Sequence, residues 1–273
     1  WLSVKYAPVA AALAGVILWR WWRDGDRRAA GWLAGALVVA GGAFVAAHWA
    51  WYGGWTPYGV GDHFVTGEFG VVGSEPDFAG RSRRLIGLLV DREFGLAAWQ
   101  PAWLCALPAL GAMAVSRRST GRLGERPRVT SRFFLAVPLA AGWLNATFVA
   151  LTMHGWWWPG RQVVVVAPLL VVAIAAWAGA SRRRLGAVAA LGAAGICAYV
   201  YLTVEALAGR LTVVVDFFET ANPLYRAWSA LLPDYRDVTA ATWVLHGVWI
   251  AVAAAAVWWG TRSTSPSRAP ASP

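Results

Sequence analysis

SRRRLGAVAALGAAGICAYVYLTVEALA (181–208) sets three arginines directly against an apolar run in which no charge appears until Glu205. A hydrocarbon core about 30 Å thick is crossed by about 20 helical residues, and residues 185–204 supply that length without interruption. Inside lipid no water satisfies the backbone amides, so such a run must be helical. The same reading extends to six other stretches, giving seven expected spans at 4–19, 29–52, 97–115, 133–153, 162–180, 185–208 and 241–259. The expected fold is all-α: a polytopic membrane protein with about seven transmembrane helices and amphipathic or re-entrant segments at its outer face.

Composition agrees with this choice of solvent. Hydrophobic residues make up 58% of the chain and charged residues 14%, against about 25% charged in soluble domains. The net charge of +10 comes almost wholly from arginine, and its distribution along the chain gives it meaning. The connections at 20–28, 116–132 and 181–184, with the tail from Gly260, hold fifteen arginines against Asp24, Asp26 and Glu125. The rest of the chain holds nine basic residues against eleven acidic ones. By the positive-inside rule the first set is cytoplasmic. That places the chain in the plasma membrane as a multi-pass protein, its first residue outside and its C-terminus in the cytoplasm. The basicity is thereby explained as an orientation signal, and nucleic acid is excluded as a partner. Residues 1–259 form the expected transmembrane domain, and the Pro/Ser-rich stretch 260–273 is expected to be a disordered cytoplasmic tail. The chain begins WLSVKYAPVA, without Met, and reads as the C-terminal part of a longer membrane protein. Cys105 and Cys197 lie in apolar runs and are expected to act as small hydrophobes.

Two long outer loops, from Gly53 to about Trp99 and from Gly209 to about Ala240, contrast with short inner ones. Loops of this length commonly carry function. In the first, residues 83–94 read as a surface helix or re-entrant piece that feeds the third span. In the second, Leu224, Trp228, Leu231 and Leu232 recur at helical spacing after Pro223, predicting a short amphipathic helix on the membrane. Tryptophan favours the headgroup layer, and many of the twenty fall at span ends: Trp19, Trp21, Trp22, Trp258 and Trp259 inside, Trp49, Trp51, Trp55 and Trp156 outside. The hairpin HGWWWPGRQVVVVAPLL (154–170) has Arg161 as its only formal charge beside Trp157 and Trp158, with Pro159 and Gly160 setting the turn. A snorkelling arginine is the simple reading; a planar guanidinium at that point also matches phosphate oxygens. Asp91 and Glu93 are candidate carboxylate bases, read first as a solvated charge pair, and Asp62 in GVGDHF is a third. The four histidines, His48, His63, His154 and His246, show no metal-ligand spacing, and no metal site is assigned.

Three elements together carry a resemblance: YGGWTPYG (52–59), GLLVDREFGLAAWQPAWLCALPAL (87–110) and GWWWPGRQVVVVAPLL (155–170). In this order they resemble bacterial polytopic glycosyltransferases of the GT-C superfamily, relatives of the protein mannosyltransferases and aminoarabinose transferases. The likeness spans roughly residues 50–170. Gln162 stands where the family has an aromatic residue and Trp156 where it has a second glycine. The resemblance implies transfer of a sugar from a polyprenyl-phosphate carrier to an acceptor at the outer face of the cell envelope. It implies substrate-binding roles for Arg161, Trp157, Trp158 and Arg92, with Arg81, Arg83 and Arg84 as further cations. It needs no organic cofactor and leaves room for a divalent cation. The family's catalytic carboxylate lies in the first outer loop of the full protein, which is not recognisable in this chain. Two other classes remain: a transporter, for which Asn145, Thr147 and Glu205 are the few polar groups within spans, and a non-catalytic membrane scaffold subunit, to which Gly-rich faces such as 35–44 are suited.

Overall fold

A computed structural model describes residues 6–54, 77–115, 131–150, 153–155 and 157–263. The described residues are helical, with no strand among them. They divide into two compact units, Trp1–Gly80 with Val129–Leu151, and Arg81–Arg128 with Thr152–Pro273.

In the first unit, α1 (Ala7–Arg23) packs against α7 (Ser131–Leu144) and α2 (Arg27–Tyr52). Pro8 sits in the first turn of α1, where its missing N–H costs nothing. The turn into α2 uses Gly25 at φ 89°, and Asp26 caps α2 by accepting from Ala29 N at 3.0 Å. Arg20 lies 5.2 Å from the Phe134 ring centroid. α7 contains Pro138 and ends in a wider π turn, Asn145–Val149, closed by Ala150 N donating to Asn145 O. Within that turn Thr147 donates to Trp143 O at 2.9 Å.

In the second unit, the short helices α3 (Phe78–Ser82, shared with the first unit's boundary), α4 (Arg84–Val90) and α5 (Leu96–Trp99) lead through a 3₁₀ turn at Pro101–Cys105 into α6 (Ala106–Val115). There follow α8 (Ala167–Ala178), α9 (Arg182–Leu207), a 3₁₀ turn at Phe217–Glu219, α10 (Pro223–Ser229) and α11 (Ala240–Arg262). The most extensive packing is between α6 and α11. Arg184 at the start of α9 donates to Ser263 O just past the end of α11 at 3.0 Å. The arginine-bearing ends of these two helices therefore share one end of the unit, and the 208–239 loop joins their other ends.

Each of the seven apolar stretches contains a helix, but among the described residues three helices are long and apolar enough to cross a membrane: Arg27–Tyr52, Arg182–Leu207 and Ala240–Arg262. Their surfaces are apolar and unburied, with Val38 75%, Val39 71% and Leu207 84% exposed. Water would penalise such faces at about 25 cal/mol per Å², whereas lipid does not.

The shorter helices have local causes. Pro101 drives Gln100 to an extended φ −137°, ψ 87°, so the stretch expected as one span at 97–115 breaks into α5, a 3₁₀ turn and α6. In the stretch 162–180, residues 161–166 form successive turns and the helix begins at Ala167. Four consecutive valines resist helix through restricted χ1 freedom, and Pro168 is accommodated only in a first turn. The surface piece expected at 83–94 is α4 followed by a turn, and the helix expected after Pro223 is α10, with Leu224 and Leu231 exposed while Tyr225 and Leu232 are buried. Of the tail expected from Gly260, the first residues belong to α11, which runs to Arg262; residues 264–273 lie outside the described set.

Tryptophans at helix ends are exposed, including Trp19, Trp22, Trp49, Trp51, Trp258 and Trp259. At the arginine-bearing ends guanidinium groups lie over indoles: Arg23 on Trp19, Arg27 on Trp22 and Arg262 on Trp258. Trp55 and Trp156 lie outside the described residues.

Candidate functional site

The site is assembled in the second unit around the end of α4. Asp91 follows that helix at φ −56°, ψ 138°, and its carboxylate is 1% exposed. One oxygen accepts from Glu93 N at 3.0 Å and Phe94 N at 2.6 Å; the other accepts from Tyr235 N at 3.3 Å and stands 3.3 Å from His154 Nε2. The expectation of a solvated Asp91 is corrected by this burial: a sequence-adjacent turn and two distant segments converge on it. With a carboxylate as acceptor, His154 Nε2 carries the hydrogen.

The neighbours of Asp91 are braced in turn. Arg92 donates to Ser229 O at 3.1 Å and pairs with Asp234 at 3.3 Å, while its own backbone bonds Pro233 O and Tyr225 OH. It ties the turn after α4 to the 229–234 segment and does not line the cavity described below. Glu93 pairs with Arg236 at 3.1 Å with its side chain 16% exposed. Desolvation raises the Glu93 carboxyl above its ordinary range, and the Arg236 hydrogen bond and charge oppose this only in part. Burial likewise raises the Tyr225 and Tyr235 phenols, so Tyr235 stays protonated and donates to His246 Nδ1 at 2.6 Å.

The raised Glu93 value has a pH consequence. A carboxyl whose folded pKa exceeds its unfolded value stabilises the fold when protonated, and that contribution is lost as pH rises through the folded pKa. Glu93→Gln should therefore melt no lower than wild type at neutral pH, with the difference disappearing as pH falls below about 4.3, the ordinary Glu value. Thermal melts of the two proteins across pH 4 to 8 read this directly; a variant that melts lower at neutral pH refutes it.

An aromatic nucleus supports the braced turn. Phe217, fully buried, is ringed by Phe94 at 5.3 Å and by Trp99 and Trp158 at 5.4 Å each, and Trp99 stacks on Tyr225 at 4.1 Å. Glu205, 5% exposed at the end of α9, accepts from Thr220 Oγ1 and from Ala221 N at 3.2 Å, fastening the second loop to that helix.

Beside this frame lies a cavity of ≈ 420 Å³ lined by His154, Gly155, Val215, Asp216, Phe218, Glu219 and Arg236. It brings together an imidazole backed by a buried carboxylate, two further carboxylates and a guanidinium that also lies 5.0 Å from the Phe218 ring centroid.

No protein-family model, curated protein or solved structure matches the chain.

The sequence candidates divide as follows. Asp91 and Glu93 stand behind the cavity, each bonded to a residue that lines it. Arg161 is exposed, with its guanidinium 5.1 Å from the Trp157 ring centroid. The Pro159 and Gly160 turn forms as expected, with Gly160 at φ 82° and Val163 N donating to Gly160 O at 2.9 Å. Trp158 belongs to the aromatic nucleus. Asp62 and His63 lie outside the described residues. Among the described residues no group of three His, Cys, Asp or Glu side chains is placed to hold a metal ion. The sequence reading missed His154, Arg236, Asp216 and Glu219 as one site. The only local hint was the DFFE stretch (216–219), two carboxylates flanking two aromatics.

Proposed function

We propose that this chain is part of a GT-C-like membrane glycosyltransferase, crossing the membrane seven times and transferring a sugar from a polyprenyl-phosphate carrier at its outer face. The observation that carries the reading is the cavity in which His154, held by buried Asp91, meets Asp216, Glu219 and Arg236. Group transfer from a sugar phosphate needs a base for the acceptor hydroxyl, a cation for the departing phosphate and acceptors for sugar hydroxyls, and this set offers a histidine, an arginine and two carboxylates for those parts. In the proposed step the acceptor O–H gives its proton to the His154 imidazole as its oxygen bonds to the anomeric carbon. The bond from that carbon to the phosphate oxygen breaks, and the phosphate leaves with the electron pair toward Arg236. Asp91 stabilises the resulting imidazolium, as a buried carboxylate does for a catalytic histidine. Phe218 offers a ring face to the sugar, and Asp216 and Glu219 accept from its hydroxyls. Arg161, beside Trp157, is proposed as a second contact to the carrier phosphate at the membrane surface.

The test uses the full-length protein in membranes supplied with a panel of radiolabelled polyprenyl-phosphate hexoses, reading release of unglycosylated polyprenyl phosphate. His154→Ala should lower the rate about 10²–10³-fold, the size of a general-base contribution, with membrane insertion unchanged. Arg161→Ala should lower it as well. An unaltered rate in His154→Ala removes the proposed base, and an unaltered rate in Arg161→Ala removes the second contact.

A further inference from the structure

Four arginines lie at one end of the second unit: Arg182, Arg183 and Arg184 in the first turn of α9, and Arg262 in the last turn of α11. Arg184 is committed to structure. Its Nη1 donates to Trp177 O at 3.4 Å, in the last turn of α8, and its Nη2 to Ser263 O at 3.0 Å, just after α11. It thereby draws three helix ends together and offsets the partial negative charge on two C-termini. Arg182, Arg183 and Arg262 are exposed, and among the described residues no carboxylate pairs with them. Neither α8 nor α11 holds an acidic residue, and the only one in α9 is Glu205 near its opposite end. The turn between α1 and α2 differs, since Asp24 and Asp26 accompany its arginines and Arg20 pairs with Asp24 at 3.5 Å.

This uncompensated charge is bordered by apolar surface. Leu185, directly after the arginines of α9, is exposed, as are Trp258 and Trp259 of α11. Arg262 lies 3.8 Å from the Trp258 ring centroid, so its charge sits back along α11, on the indole. A soluble anion would use the charge and leave these apolar side chains in water. A lipid uses both. Its phosphate meets guanidinium groups, whose planar fork matches the oxygens, and its acyl chains cover the leucine and the indoles. The positive-inside rule assigns these ends to the cytoplasmic leaflet, where anionic lipids give the surface its negative potential.

We infer that the joined ends of α9 and α11 bind the headgroup of an anionic phospholipid, with Arg182, Arg183 and Arg262 supplying the cations and Leu185 and Trp258 lying against its chains. The inference does not rest on the transfer reading, because the cavity lies at the other end of the unit, among residues of the 208–239 loop.

The experiment places the full chain in phosphatidylcholine nanodiscs with a trace of photoactivatable phosphatidylglycerol or phosphatidylcholine, each carrying a diazirine on the same acyl carbon. Labelled peptides are then mapped. Segments 182–190 and 255–263 should take about tenfold more label from the phosphatidylglycerol probe, a factor that one or two guanidinium groups near a membrane surface supply. Segment 240–248, at the other end of α11, should take equal label from both. In the triple variant Arg182→Gln, Arg183→Gln, Arg262→Gln the ratio at 182–190 and 255–263 should fall to near unity. Equal labelling of those segments by the two probes in the wild-type protein overturns the proposal, as does a ratio that survives in the triple variant. Inorganic phosphate should lower the ratio no more than chloride at equal ionic strength does; a larger loss would mean a site for the free anion and overturns the lipid assignment. The wild-type ratio depends on no variant, so a misfolded variant does not shelter the idea.

Discussion

Asp91→Ala should leave the second unit unable to hold its native structure. The substitution strips the acceptor from three backbone N–H groups, those of Glu93, Phe94 and Tyr235, and from His154. Each buried donor left without a partner costs about 1–3 kcal/mol, so the total reaches about 5 kcal/mol or more. That is comparable with the whole stability of many domains, about 5–15 kcal/mol. The effect should appear as loss of a monodisperse detergent-solubilised species and as protease cleavage within 208–239. Asp91→Asn keeps one acceptor oxygen and should fall between wild type and Asp91→Ala. A well-folded Asp91→Ala protein would mean that the carboxylate does not join these segments.

The second large effect belongs to the contact between α6 and α11. A Cβ at Gly111 would stand 2.0 Å from Val257 O, and one at Gly260 would stand 2.1 Å from Pro108 O. Both obstacles are helix backbone, which cannot rotate aside as a side chain can. Small residues let helices approach closely in membranes, where packing and not water exclusion drives association. Gly111→Val should force the pair apart and cost about 3 kcal/mol, the upper part of the range for overpacking. Engineered cysteines placed across the α6 and α11 contact should crosslink efficiently in wild type and poorly in Gly111→Val; undiminished crosslinking would refute the close approach. Gly41 and Gly42 of α2 make a useful contrast, since a Cβ there meets nothing within 4 Å, and substitutions to alanine should leave stability near the wild-type value.

Helix positions were largely legible because apolar runs and prolines act locally. The stretches at 185–208 and 241–259 fall within α9 and α11 to within three residues at each end. Where the reading overran, at 97–115 and 162–180, the signs were also local: Pro101 and Pro108 in one, four valines before Pro168 in the other. The candidate site was far less legible. Asp91 and Glu93 look like an ordinary exposed pair in the one-dimensional chain, since nothing near them announces that residues from 154 and 234–236 will cover them.

Sequence by itself determined the solvent of this protein, the places where helices form and which helix ends carry the arginines, because each depends on composition or spacing within a single stretch. Only the tertiary structure decided which carboxylate is buried, which histidine it holds and which backbones touch at glycine. Those outcomes follow from satisfying hydrogen bonds and filling space between segments up to about 140 residues apart, as in the bond from Tyr235 N to Asp91. No periodicity in the chain encodes them.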